Sequence, residues 1–461
     1  MTESPVTEVA ARLESAATDF VREHRLPGLA AGIVHDDRLV WSAAPGFADI
    51  ADRRRPDTGT LYRIASITKT FTATLIMQLR DEGRLALDDP AVEHLPELEA
   101  ADSTVGPISA VTIRRMLSHE SGLLGDPPGT DWSAARYEQD AAVNLARAGE
   151  IGLRVPPNTQ QKYSNLAYQL LGEIVSRTAG APYAEVLQTR LLEPLGMAST
   201  GFDPLGDVLD ARKATGYAPR AFSDDLRLSM ATAISQAEGG LWSCVDDLTR
   251  WLAFQLAPEG DERDGILGHV TRAEMQRPRY LGDAEWTEAW AIGWYAVRRD
   301  DVIWVTHSGG LHGFITNVCF DPKHRVGAIV LINGLGFAGE LAGRLGAIAR
   351  KAVIDHPAAI EPPAELPEEW APLLGLYTDN EWTALFRLEW RDGALVWLDP
   401  DEPAWKPRLR PAGEPDAFVI EPGVRESGEQ CVFHRRADGT VTGVRLGPVE
   451  LRRLAPVETD G

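Results

Sequence analysis

The sequence predicts an α/β chain of the α+β kind in two parts: a sheet flanked by helices and carrying an all-helical insertion, then a small antiparallel β domain. Three observations predict it. Strand-like segments open the chain and return only near residue 290, with mainly helical patterning between them. Composition then shifts to proline and alanine between His356 and Pro367. Beyond that shift, apolar and polar residues alternate with period two.

The first element is an amphipathic helix, because Leu13, Ala17, Phe20 and Val21 fall on one stripe at helical spacing. Gly28–Val34, the turn His35-Asp36-Asp37, and Arg38–Ser42 read as a hairpin; a helix followed by a hairpin suggests a mixed sheet. From about residue 60 to 290 helical patterning is broken by loops rich in Gly, Pro and Asp, such as Leu123 to Trp132 and Arg154 to Asn158. Strand character returns in Ala291–Tyr295, Val302–Thr306, Asn317–Phe320 and Gly327–Ile332, and a helix around Leu341 to Val353 covers the sheet.

The stretch HPAAIEPPAELP reads as a semi-rigid linker over residues 356–367, dividing a catalytic domain, 1–355, from a β domain, 368–461. In the latter, Phe386, Leu388 and Trp390 alternate with Arg387 and Glu389. The turn Arg391-Asp392-Gly393 leads into Ala394–Leu398, and Asp438-Gly439 joins Cys431–His434 to Val441–Val444.

Composition bounds the partners. A chain of 461 residues has length for two domains with real cores. Its formal net charge of −22 excludes a phosphate-backbone partner, since nucleic-acid binding needs Lys and Arg to neutralise phosphates. No stretch approaches the roughly 20 apolar residues that span a membrane. Cys244, Cys319 and Cys431 are too scattered for a disulfide scaffold or a zinc knuckle and read as buried thiols. No histidine pair has metal-ligand spacing with a matched carboxylate, so neither a metal nor another cofactor is implied. The N-terminal segment is acidic where a secretory leader would be basic, so the sequence as given reads as cytoplasmic.

Three segments carry chemistry. Ser66-Ile67-Thr68-Lys69 opens a helix with Ile67, Phe71, Leu75 and Leu79 on its apolar face and Gly83 as its stop. A spacing of three puts Ser66 and Lys69 on adjacent turns, where an amine reaches a hydroxyl. A lysine takes that proton only if burial or nearby positive charge depresses its pKa, so Lys69 is predicted to be depressed. In Tyr163-Ser164-Asn165, positions two apart on an extended approach to a helix point the same way. The Tyr163 phenol and Asn165 amide then face one pocket, a proton relay and a ligand for a substrate carbonyl. The alternative is a Ser164 cap beside a packed tyrosine. His307-Ser308-Gly309-Gly310 follows an apolar strand, and its glycines let a substrate backbone lie against that strand.

In this order and on these elements, SxxK, YxN and HxG resemble the serine β-lactamase and penicillin-binding protein superfamily, and more narrowly its class C β-lactamase-like branch of esterases, carboxypeptidases and D-amino-acid peptidases. Supporting phrases are Leu117–Leu123, Gly83–Pro90 and Glu238-Gly239-Gly240-Leu241. The likeness covers roughly residues 10 to 350; the trailing domain resembles the lipocalin-like barrel appended to several of these peptidases. The resemblance implies an antiparallel sheet, Ser66 as nucleophile, Lys69 as base, Tyr163 as relay and Asn165 as substrate ligand. It also implies an oxyanion hole of the Ser66 and Gly310 backbone N–H groups, with Gly309 and Gly310 lining the substrate. His307 stands where many β-lactamases have lysine, which predicts a pH-dependent cation for a substrate carboxylate and weak β-lactam hydrolysis. His119, His312 and Trp242 are further candidates to border the pocket, as are Arg445, Arg452 and Arg453 if the β domain covers it.

The expected activity is attack by Ser66 on small esters, or on amides of small or D-configured peptides, with water as acceptor. A second reading passes the acyl group to an amine, as in penicillin-binding-protein-like thioesterases that cyclise nonribosomal peptides, with a carrier-protein or thioester-bound peptide as donor. A third is a silent sensor of β-lactams or peptides.

Overall fold

A computed structural model of the protein describes residues 4–134, 136–219, 226–228, 234–299, 302–356, 365–378, 385–391, 393–399, 406–424 and 426–454. The chain divides into two compact units, Met1–His356 and Pro357–Gly461. Most of the proline-rich segment, 357–364, lies outside the described residues.

Among the described residues, eight strands of the first unit form one sheet. Their order across it is Arg38–Ala43, Leu29–His35, Val326–Ile332, Phe314–Asp321, Val302–Leu311, Tyr295–Arg299, Glu288–Trp290, Tyr280–Leu281. Every pairing is antiparallel, so the mixed sheet suggested by the opening helix and hairpin is corrected: Leu29–His35 runs against both Arg38–Ala43 and Val326–Ile332. The period of two splits the central strands between two cores. Leu29, Ala31, Ile33, Val326, Ala328 and Val330 pack under the helices Ala10–Glu23 and Ala338–Asp355. Ala30, Val34, Ile329 and Leu331 face the core of the insertion.

That insertion is built around the helix Thr68–Asp81, which is buried nearly all round and not on one face. Its threonines can be buried because their hydroxyls are used: Thr70 Oγ1 donates to Ile67 O and Thr74 Oγ1 to Thr70 O, each at 2.8 Å. Phe71 stacks on Trp251 of the helix Val245–Gln255, ring centroids 3.8 Å apart, which fixes the helix against its neighbour. Two short ribbons, Tyr62–Arg63 with Trp242–Ser243 and Tyr217–Pro219 with Leu226–Leu228, interrupt the helices. They are too short to leave a period in the sequence.

The expected strand Ala291–Tyr295 is corrected to a buried turn. Ala291 N donates to Trp294 O at 2.9 Å and Gly293 has φ +73°, so Glu288–Trp290 and Tyr295–Arg299 pair across it. The residues are apolar because the turn plugs into the core: a Cβ on Gly293 would land on Ala73 of the helix Thr68–Asp81.

The second unit is a closed barrel of eight strands among the described residues, from Gly375–Thr378 to Val449–Arg453. The first and last strands pair, Tyr377 opposite Arg453. Tyr377, Leu388, Trp397, Phe418, Phe433 and Val444 fill it. Of the expected turn at Arg391-Asp392-Gly393, Asp392 lies outside the described residues. All three cysteines are free thiols and buried. Among the described residues, no helix is long and apolar enough to cross a membrane.

Candidate active site

Ser66 sits in a single 3-10 turn, Ala65–Ile67, that feeds directly into the helix Thr68–Asp81. Ala65, the residue before it, adopts φ +46°, a left-handed conformation that a non-glycine residue holds only when its surroundings impose it. The surroundings are visible. Ile64 N donates to Leu241 O at 3.0 Å, and Ile64 O accepts from Thr316 Oγ1 at 3.0 Å, tying the turn to the sheet.

Lys69 is fully buried, and its Nζ donates to Ser66 Oγ at 3.1 Å, Asn165 Oδ1 at 2.8 Å and the Glu238 carbonyl at 2.9 Å. Burial depresses it to about 7, against the opposing pull of Glu238 and Asp126, as expected from sequence. The three partners also dictate how the site responds when the amine loses a proton. Neither a carbonyl nor the amide oxygen can donate to the freed lone pair; only the Ser66 hydroxyl can. Deprotonation therefore turns the Ser66–Lys69 hydrogen bond around into the direction that a general base requires.

Tyr163 and Asn165 do face this pair together. The Tyr163 side chain lies beside that of Ser66, and Lys69 Nζ is 5.1 Å from the ring centroid. Desolvation pushes the phenol above its ordinary range, so it acts as a neutral hydroxyl. The segment is held by a cap as well: Ser164 Oγ accepts from Ala167 N at 2.9 Å and donates to Leu124 O at 2.6 Å, starting the helix Asn165–Ala179. The cap at Ser164 and the common orientation of Tyr163 and Asn165 thus coexist in the same three residues.

His119 anchors the segment from behind. It is buried, its Nδ1 accepts from Ser164 N at 3.1 Å, and its ring stacks on Tyr163 with centroids 4.2 Å apart. Burial and the nearby Lys69 hold it well below its ordinary pKa.

Two carboxyl groups here were given no role by the sequence: Asp126, in the loop Leu123 to Trp132, and Glu238, which opens the phrase Glu238-Gly239-Gly240-Leu241. Asp126 Oδ1 accepts from Asn165 Nδ2 at 2.7 Å and Oδ2 from Trp132 Nε1 at 3.2 Å, so the carboxylate orients the amide that holds Lys69. Glu238, in the short helix Gln236–Gly239, is fully buried and held above its ordinary pKa by that burial. A capping pattern, Ser235 to Glu238, is the sequence signal that could have located this carboxyl.

His307 is where the expected cation fails. It is 2% exposed, and burial with the adjacent Lys69 lowers it to about 3. Its Nδ1 lies 2.7 Å from the Ser308 carbonyl, which can only accept, so the proton sits on Nδ1 and Nε2 presents a lone pair. It is a neutral imidazole at any physiological pH. Gly309 presses on the turn bearing Ser66: a Cβ there would land on the Ile64 carbonyl and the Thr316 hydroxyl. Gly310, exposed and opposite Ile315 on the strand Val302–Leu311, follows it.

The remaining candidates have contacts of their own. Trp242 donates Nε1 to Asp203 Oδ2 at 2.9 Å and supports the Tyr62–Arg63 ribbon. His312 meets Trp132 edge-on at 6.3 Å. In the barrel, Arg445 and Arg452 are exposed and Arg453 Nη2 donates to Leu374 O at 2.7 Å.

The family model described as Beta-lactamase matches residues 13–352. Protein flp of Staphylococcus aureus (strain COL) is 28% identical over 329 residues, 68% of this chain; the chain spans 62% of that relative's length. Penicillin-binding protein 4 of Amycolatopsis lactamdurans is 29% identical over 370 residues, 77% of this chain and 94% of that one. The octameric penicillin-binding protein homologue from Pyrococcus abyssi has the same fold at 24% identity, with a TM-score of 0.62 over 96% of this chain and 99% of its own.

Proposed function

This chain belongs to the Beta-lactamase family, and on that premise we propose that it is a serine hydrolase acting through a Ser66 acyl-enzyme on small esters or on amides of small or D-configured peptides. One observation carries the reading: a fully buried lysine amine, poised near neutrality, lies 3.1 Å from the serine hydroxyl. The Ser66 proton passes to Lys69 Nζ as Oγ bonds to the substrate carbonyl carbon. The carbonyl oxygen collects negative charge before the backbone N–H groups of Ser66 and Gly310. The C–O or C–N bond then breaks, and the leaving group takes a proton through the Tyr163 hydroxyl. Water, activated by the same pair in reverse, releases the acid.

A second reading releases the acyl group to an amine from a thioester-bound peptide, and His307 favours such a donor. A neutral imidazole offers no charge to a substrate carboxylate, so esters and thioesters fit this corner better than peptides with a free C-terminus. The test is incubation with p-nitrophenyl esters, nitrocefin, D-alanyl-p-nitroanilide and a D-terminated peptidyl thioester, with products read by mass spectrometry beside Ser66→Ala. Turnover lost in the variant supports the Ser66 acyl-enzyme, and acid or cyclic amide as product chooses between water and amine. Acylation without release supports a sensor. Equal product from both proteins removes Ser66 as the nucleophile.

A further inference from the structure

Glu238 touches the site in a way the proposed mechanism does not use. Its Oε1 accepts from Ser235 N at 3.1 Å, closing a capping box, but its Oε2 is buried with no hydrogen-bond partner among the described residues. The Tyr137 hydroxyl, buried and also without a partner of hydrogen-bonding geometry, is the polar side chain that faces it. A cap needs only one oxygen and works equally well on a surface. Burying the whole carboxyl costs stability unless something compensates, and the compensating group nearby is Lys69, whose Nζ donates to the carbonyl of this same residue at 2.9 Å.

We propose that Glu238 is a positioning residue that sets the basicity of Lys69, with the Tyr137 hydroxyl steadying its free oxygen. The inference rests on the reading of Lys69 as the base. Burial alone would leave the lysine too weak to hold the serine proton, and a carboxylate beside it opposes that loss. Asp126, His119, His307, Tyr163 and Tyr168 also face Lys69. The two histidines are held neutral by burial and the tyrosines stay protonated, so Asp126 and Glu238 are the acidic groups acting on it, and Lys69 in turn pulls Glu238 down against its burial. Asp126 already spends both oxygens on Asn165 and Trp132. On the Glu238 side, Tyr183 is the further titratable group, and burial keeps it protonated.

Glu238→Gln separates charge from shape, because the amide oxygen still accepts from Ser235 N. The measurement is the titration of Lys69 itself, followed by NMR in full-length protein carrying 13Cε-labelled lysine, with the signal assigned by its loss in Lys69→Arg. The acid limb of kcat/KM on a p-nitrophenyl ester is recorded alongside. Removing the carboxylate should move the Lys69 titration down by about one pH unit, and the acid limb with it. Tyr137→Phe, which keeps the ring against Trp132, should move it the same way by less. A Lys69 titration unmoved in both variants overturns the inference. A titration that moves while the acid limb stays supports the inference and instead removes Lys69 as the base.

Discussion

On the helix side of the site a lysine is buried, and on the strand side a histidine is; desolvation lowers both, and its effects on their use are opposite. Lys69 falls from an ordinary 10.5 to about 7, into the range where an amine half deprotonated near neutrality is able to accept a proton from the serine beside it. His307 falls from 6.5 to about 3 and loses one, since it no longer carries charge where a cation would meet a substrate carboxylate. Burial acts as a fixed push whose outcome depends on where the group starts. The same pocket therefore leaves one residue titrating near neutrality and holds the other as a neutral hydrogen-bonding group.

The contrast breaks most sharply at Lys69. Lys69→Arg keeps a cation of similar reach that stays protonated throughout the accessible range, so kcat/KM should fall by about 10³-fold; a loss under tenfold would mean that charge and not basicity matters here. Gly309→Ala attacks the strand side through space: its Cβ collides with the Ile64 carbonyl and shifts the strand off the Ser66 turn. Steady-state kinetics should show a loss of about 10²-fold with the far-UV circular dichroism unchanged, and near-normal activity would show that the strand can retreat without consequence.

His307→Gln should produce the smallest change in the pH profile. The ascending limb belongs to Lys69, so wild type and variant should share it, and an acid limb found only in the wild type would restore a titrating His307. Stability gives the complementary sign. His307 binds its proton more readily unfolded than folded, so wild-type stability should fall as pH drops from about 6.5 toward 3, by up to about 1.4 kcal/mol per pH unit. In urea titrations His307→Gln should show a shallower fall over that window. Above about pH 7 the two slopes should coincide.

The contact of Ser66 with Lys69, the shared orientation of Tyr163 and Asn165 and the helix stops were readable because each is local: a spacing of three, a spacing of two, a cap. Ser164 and Gly180, at φ +75°, bound their helix as their types suggest. The charge state of His307 was not readable, because it depends on burial that no stretch of neighbouring residues encodes. Asp126 and Glu238 escaped for a related reason. Their partners, Asn165 and Lys69, lie 39 and 169 positions away, and an acidic residue in a Gly-rich loop looks like surface. Ala291–Tyr295 was misread because a turn plugged into a core has the same apolar composition as a strand, and only Gly293 marked the reversal. The chain divides after His356, where the composition also shifts to proline and alanine.

The register of the central sheet has a bearing on how the chain is made. Leu29 lies opposite Ile332, so the strand that seats the N-terminal hairpin is among the last parts of the first unit to be translated. At about 5–20 residues per second the hairpin waits roughly 15–60 s for its partner. Its inner strand meanwhile exposes backbone donors and an apolar run, Leu29 to Val34, that the finished molecule buries on both faces. A pairing this distant in sequence slows folding, because the cost of closing the long loop is met before the contact rewards it. The strand bearing His307 and Gly309 also comes late, so the Ser66 turn exists long before the sheet that completes the site.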